Sequence, residues 1–196
     1  MHTPSSAQPD PESAVDDTST RQRILAATAE VMGRNGMTKL SLSQVALEAG
    51  VSRPTLYRWF ASKKDLLDAY VVWERSLYQD AIAKATAGLA PGEKLDAVLR
   101  VIAAGQQSYP GLRMVDIEPA QVIKRLSRVI PPMRAGLERL LPGPNGAEAA
   151  ATIVRVAISH YLVRSDDADE FLAQLRHAAR VKRPPRTNTG PPAIAG

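Results

Sequence analysis

Between Leu40 and Asp68 the sequence reads LSLSQVALEAGVSRPTLYRWFASKKDLLD and opens a helix three times. Ser41 stands three residues before Gln44, the spacing at which a hydroxyl takes an orphan amide while the glutamine reaches back, so a helix begins there. Leu42, Val45, Ala46 and Ala49 fall on one face of it. Gly50 stops it, because glycine accepts the left-handed conformation of a helix C-terminus, and Ser52 caps a second helix almost at once. Pro54 lies in the first turn of that second helix, where its missing amide would have been unbonded anyway. Ser62, followed by Asp65, caps a third. Two short helices joined only by Gly50-Val51-Ser52 cross steeply with their apolar sides together. That is the helix-turn-helix arrangement, with Val51, Leu56 and Phe60 as inner contacts.

The outer face of the second helix carries Arg53, Thr55, Tyr57, Arg58 and Trp59, and each type has a use against a nucleic-acid duplex. Such a helix enters the major groove with its N-terminal residues at base edges. Arg53 can bond a guanine, Thr55 can bond a base or touch a thymine methyl, and Pro54 offers apolar contact. Tyr57, Trp59 and Lys63 suit phosphates, which fix position without reading sequence. A plain helical hairpin would explain the turn but not the three caps and the clustered basic and aromatic residues. Charge points the same way. Of the formal +5, residues 1–19 contribute −4, with four acids and no Lys or Arg. Residues 20–64 contribute +6 from eight Lys or Arg against two acids, residues 65–181 are neutral with fourteen of each, and residues 182–196 add +3. A basic excess concentrated on the helix-turn-helix segment is what phosphate attraction requires.

The pattern AxxAGVSxxTLYxxFxSKxxL, here Ala46 to Leu66, resembles the N-terminal DNA-binding segment of the tetracycline-repressor (TetR) family of transcriptional regulators. The resemblance is close over Thr20 to Tyr70 and loose afterwards. It implies base-contacting positions at Arg53, Pro54 and Thr55, and phosphate-contacting positions at Tyr57, Trp59 and Lys63. It also puts Ser43 where the first helix of the pair reaches the groove, although some members carry arginine there. The candidate DNA-binding set is therefore Ser41, Ser43, Ser52, Arg53, Pro54, Thr55, Tyr57, Arg58, Trp59 and Lys63.

Other classes find little support. A hydrophobic fraction of 44% over 196 residues is enough for a core, and no apolar run approaches the roughly 20 residues of a membrane span. The polar, acidic first nineteen residues lack the basic start and apolar middle of an export signal and read as a disordered arm. The chain has no cysteine, which fits a cytoplasmic protein, and its three histidines, His2, His160 and His177, have no metal spacing. Paired carboxylates, an activated nucleophile and a phosphate-cradling glycine loop are missing, so neither an enzyme nor a cofactor is expected. The acids at Asp166, Asp167, Asp169 and Glu170 suit a helix start.

The rest of the chain repeats helical spacing. Thr20 to Asn35, with Ile24, Leu25, Val31 and Met32, is the first helix of a three-helix unit. Ser62 to Thr86 forms one long helix able to belong to two bodies. Pro91 to Ser108 forms the next, before a break at Tyr109-Pro110-Gly111. Pro119 starts another, which Pro131-Pro132 is expected to interrupt, and Pro142-Gly143-Pro144-Asn145-Gly146 forces a loop. Ala147 to Val163 is apolar on nearly every side and should be buried on more than one face. Asp167 to Val181 forms the last helix.

The expected fold is all-α with about nine helices: a disordered arm at 1–19, a DNA-binding head at 20–66, a ligand-binding and dimerisation bundle at 67–181, and a disordered basic tail at 182–196. The family resemblance implies a homodimer interface on the last two helices, with Val154, Ile158, Tyr161, Phe171 and Leu175 as candidates; a plain monomer core suits the same residues. Trp73, Leu77, Ile102, Gln106 and Leu126 are candidate walls of a small-molecule pocket, and they suit a core equally. The function expected is a dimeric repressor released from palindromic double-stranded DNA by a small apolar or amphipathic ligand. The alternative is a ligand-independent DNA-binding or helical interaction protein with the same fold.

Overall fold

The computed structural model describes residues 11–108, 113–163 and 170–180. Among these the chain is helical and strand-free, in nine helices: α1 (Pro11–Lys39), α2 (Leu42–Glu48), α3 (Arg53–Trp59), α4 (Lys63–Thr86), α5 (Pro91–Ser108), α6 (Met114–Ile117), α7 (Pro119–Glu138), α8 (Gly146–Leu162) and α9 (Phe171–Ala178). This is the all-α architecture expected.

Three boundaries differ from expectation. α1 is helical from Pro11, so residues 11–19 are not an irregular arm. Proline suits a first helical turn, and no glycine or proline follows to stop the helix before Gly33. Pro131 and Pro132 do not interrupt the helix from Pro119; α7 runs through both. Their missing amides would have bonded the carbonyls of Ser127 and Arg128, four residues back. Both of those residues are exposed, so water can take the carbonyls. α9 ends at Ala178, with Ala179 and Arg180 already in a turn, short of the expected Val181; its expected start at Asp167 lies outside the described residues. The break expected at Tyr109-Pro110-Gly111, the arm before Pro11, residues 164–169 and the tail 182–196 lie outside the described residues.

Two apolar cores lie along the molecule. The first joins Ile24, Leu25, Val31 and Met32 of α1 to Val45, Ala46, Leu56, Phe60, Leu66 and Tyr70, and is closed by Met114 and Val122 from α6 and α7. The second joins Leu95, Val98, Leu99 and Ile102 of α5 to Leu137, Ile153, Val154, Ala157, Phe171 and Leu175. α4 serves both, since Leu67 and Trp73 pack on the first and Tyr78 and Ile82 on the second. α7 does the same through Leu126 on one side and Ile130 and Met133 on the other. Where these two helices meet, Tyr70 donates its hydroxyl to Glu74 at 3.0 Å. Glu74 pairs with Arg125, whose guanidinium lies 5.7 Å over the Tyr70 ring. A charge-assisted bond in this half-buried setting fixes the relative register of the helices.

The dimer expectation is corrected at three positions. Val154, Phe171 and Leu175 are almost fully buried within the single chain, because α8 and α9 turn these side chains onto α5 and α7 and leave Thr152, Arg155, Ser159 and His177 outside. His160 Nε2 lies 2.7 Å from Gln174 Oε1, and its ring sits 4.3 Å from that of Phe171, so it fastens α8 to α9.

α9 is held to α5 by Asp96, which accepts from Arg176 Nε at 2.6 Å and from Arg176 Nη2 at 3.0 Å. Arg100 donates to the same carboxylate at 2.9 Å. The Arg176 bonds hold the Asp96 carboxyl below its ordinary value of 3.8, against the opposing effect of partial burial and with further help from Arg100. A carboxylate with a depressed pKa in the fold stabilises it above the unfolded-state pKa, and that contribution is lost as pH falls through the folded-state value. Asp96→Asn should therefore lower stability by roughly 1–2 kcal/mol at neutral pH. In urea titrations the variant should lose less stability than the wild type as pH is taken below 3.8; an equal acid response would show that the clip contributes nothing.

Candidate DNA interface

The helix-turn-helix is built by its caps. Ser41 Oγ accepts the Gln44 amide at 3.3 Å while Gln44 Oε1 accepts the Ser41 amide at 3.2 Å, completing the expected capping box of α2. Gly50 takes φ 62, and the Val51 amide turns back to the Ala46 carbonyl at 3.0 Å. Ser52 Oγ accepts the Thr55 amide at 3.2 Å and lies 2.8 Å from Thr55 Oγ1. Ser62 Oγ accepts the Asp65 amide at 3.1 Å. Two supports were not foreseen: Arg23 Nη2 donates to the Ala49 carbonyl at 3.3 Å, and Arg34 pairs with Glu48. Both tie α1 to the end of α2, where a cation meets the negative pole of the helix.

This framework sets how each candidate stands. Arg53, Pro54, Tyr57 and Arg58 are exposed and share one face of α3, at positions i, i+1, i+4 and i+5. Tyr57 keeps 52% of its surface open, which is unusual for a large aromatic residue. Thr55 and Ser43 are half-buried. The hydroxyls of Ser41 and Ser52 are engaged as caps, so they shape the interface before they can touch DNA. Lys63 donates its ammonium to the Thr38 carbonyl at 2.8 Å, which leaves two further donors on the same nitrogen. The phosphate role expected of Trp59 meets a correction: its indole N–H is buried with no acceptor among the described residues, its ring packs on the first core, and Arg58 lies 6.0 Å over it.

Residues 24–70, which contain this arrangement apart from Arg23, match the family described as bacterial regulatory proteins, tetR family. The chain is also 29% identical over 158 residues to the HTH-type transcriptional regulator BetI of Agrobacterium fabrum, an alignment covering 72% of this chain and 77% of that protein. Residues 24–70 are a tetR-family DNA-binding domain. Solved structures share the fold: a TetR transcription regulator from Haloarcula marismortui has a TM-score of 0.66 at 16% identity, covering 84% of this chain and 96% of its own. The transcriptional regulator FadR from Bacillus subtilis, solved in complex with stearoyl-CoA, has a TM-score of 0.61 at 16% identity, with 83% and 99% covered. With this domain the chain is a DNA-binding transcriptional regulator, not an enzyme.

The five pocket candidates are not gathered round one interior of the bundle. Trp73 and Leu126 pack on the first core, Ile102 lies in the second, and Leu77 is 49% exposed. Gln106 donates to the Ala157 carbonyl at 2.6 Å. Tyr78, which is not among the five, packs on the second core, and its ring passes 3.8 Å from where a Cβ on Gly105 would lie. Burial pushes its phenol up to about 12. Ser52→Ala, which removes the α3 cap, should cost roughly 0.5–2 kcal/mol in thermal or urea unfolding; unchanged stability would mean that the turn is held without it.

Proposed function

We propose that the chain is a dimeric, cytoplasmic, sequence-specific repressor that binds a palindromic operator and is released by a small apolar or amphipathic ligand. The observation that carries this reading is the exposed row Arg53, Pro54, Tyr57 and Arg58 on a helix whose ends are fixed by Ser52 and Phe60. Arg53, Pro54 and Thr55 read bases from the N-terminal turn of α3, while Tyr57, Arg58 and Lys63 grip phosphates. A seven-residue helix spans few base pairs, so useful specificity needs two heads on one twofold axis. In this reading residues 20–66 are the reading head and residues 67–181 the ligand-binding and dimerisation bundle.

The second copy lies against the outer sides of α8 and α9, where half-buried Ile158 and Tyr161 keep surface to offer. Among the described residues no helix is long and apolar enough to cross a membrane. The ligand sits between α4, α5 and α8, where the Tyr78 ring passes Gly105 and Gln106 donates to the Ala157 carbonyl. Apolar walls with few polar anchors are usual for such sites. The stearoyl-CoA complex of FadR is a precedent for an amphipathic ligand on this fold.

Selection of genomic fragments against excess nonspecific DNA tests the reading: it should recover palindromic sites, and recovery of none would favour a helical interaction protein. On a recovered fragment, Arg53→Ala should lose roughly 1–3 kcal/mol of discrimination against scrambled DNA. Lys63→Ala should weaken both DNAs alike and lower the salt slope by about one. An equal loss on both DNAs from Arg53→Ala contradicts base reading. Ile158→Glu should convert a dimer to monomers in sedimentation, and a monomeric wild type at micromolar concentration with operator affinity intact would reject the dimer.

A further inference from the structure

The corner between α6 and α7 reaches into the head through one side chain. Glu118 is fixed to α6 by its amide, which donates to the Met114 carbonyl at 2.8 Å, and Pro119 begins α7 immediately after it. Its carboxylate crosses to the other end of the first core. Oε2 accepts the Met37 amide at 2.8 Å and Oε1 accepts the Thr38 amide at 2.9 Å.

Those two amides need an outside acceptor because Gly36, at φ 78 and ψ 169, breaks α1 and starts a fresh turn over Met37–Lys39. The first amides of a helical turn have no partner within it. Gly36 also makes room, since a Cβ there would stand 2.8 Å from both Cδ and Oε1 of Glu118. On the other side of the same turn, the Thr38 carbonyl receives the ammonium of Lys63, the first residue of α4. Partial burial pushes the Glu118 carboxyl up, but the bonds from Thr38 and Met37 and the charge of Lys63 outweigh it and hold the group below its ordinary 4.5.

We propose that Glu118, a residue of the bundle, is a positioning residue for DNA binding: it fixes the Met37–Thr38 turn, whose carbonyl in turn aims the Lys63 ammonium at a phosphate. This rests on the DNA-binding reading above. One ammonium hydrogen is held by Thr38, and the other two face the duplex already oriented, so less side-chain freedom is lost on binding. Without the carboxylate the turn is released, and Lys63 loses its anchor while its charge remains.

The test uses the full chain and a fragment recovered by genomic selection, with affinity measured against salt for wild type, Glu118→Ala, Glu118→Gln, Lys63→Ala and the double variant Glu118→Ala/Lys63→Ala. Glu118→Ala should bind about tenfold more weakly, with the salt slope lowered by about one. The double variant should bind no more weakly than Lys63→Ala, since the two act through one contact. Glu118→Gln, which keeps one acceptor oxygen, should fall between wild type and Glu118→Ala, and it carries the test if the alanine variant does not fold. Hydrogen exchange at the Met37 and Thr38 amides should quicken in the order wild type, Gln, Ala. Wild-type affinity and slope in both Glu118 variants, or losses that add to that of Lys63→Ala, overturn the proposal. A wild type that retains no fragment overturns the repressor reading itself, and the proposal with it.

Discussion

A single helix must satisfy two cores at once, and most of the architecture follows from that. α4 has 24 residues, so at 1.5 Å per residue it is about 36 Å long. Its first turns bury Leu66 and Tyr70 among the residues of the helix-turn-helix, and its later turns carry Tyr78 and Ile82 into the bundle. Neither core is closed without it. The head borrows Met114 and Val122 from α6 and α7 in the same way, so α3 is presented by a surface continuous with the bundle. The ion pair of Glu74 with Arg125, braced by Tyr70, sits where α4 and α7 pass from one core to the other. Removing Glu74 would leave the half-buried Arg125 charge without this partner, which costs more than the pair itself contributes.

The head was legible in the sequence because its signals are local. Ser41 with Gln44, Gly50, Ser52 and Ser62 each fix a backbone event within three or four residues, and each is found in the expected role. The boundaries of α4 and α5 followed from Ser62 and Pro91 for the same reason. The exposed row on α3 followed from helical spacing once that helix was placed.

What was not legible depends on direction and on distance along the chain. α8 is apolar on nearly every side, so spacing could not say which side meets its own chain, and Val154 proved to face inward. Trp73 and Leu77 lie four apart and share a stripe, yet the helix passes from one core towards the other between them, and Leu77 ends up in the open. The prolines of α7 misled because the two carbonyls they orphan belong to exposed residues, Ser127 and Arg128, where water can take them. The bond from Glu118 to Met37 spans 81 residues and left no local trace beyond a glycine at position 36.

In the proposed dimer, two α3 helices related by a twofold axis present Arg53, Pro54, Tyr57 and Arg58 to successive turns of one duplex. Hydroxyl-radical footprinting of the wild-type protein on a genomically selected fragment tests it most directly. Two protected patches related by the symmetry of the palindrome are expected, with centres about 34–36 Å apart or a multiple of that distance. A single patch, or uniform protection along the fragment, would contradict it.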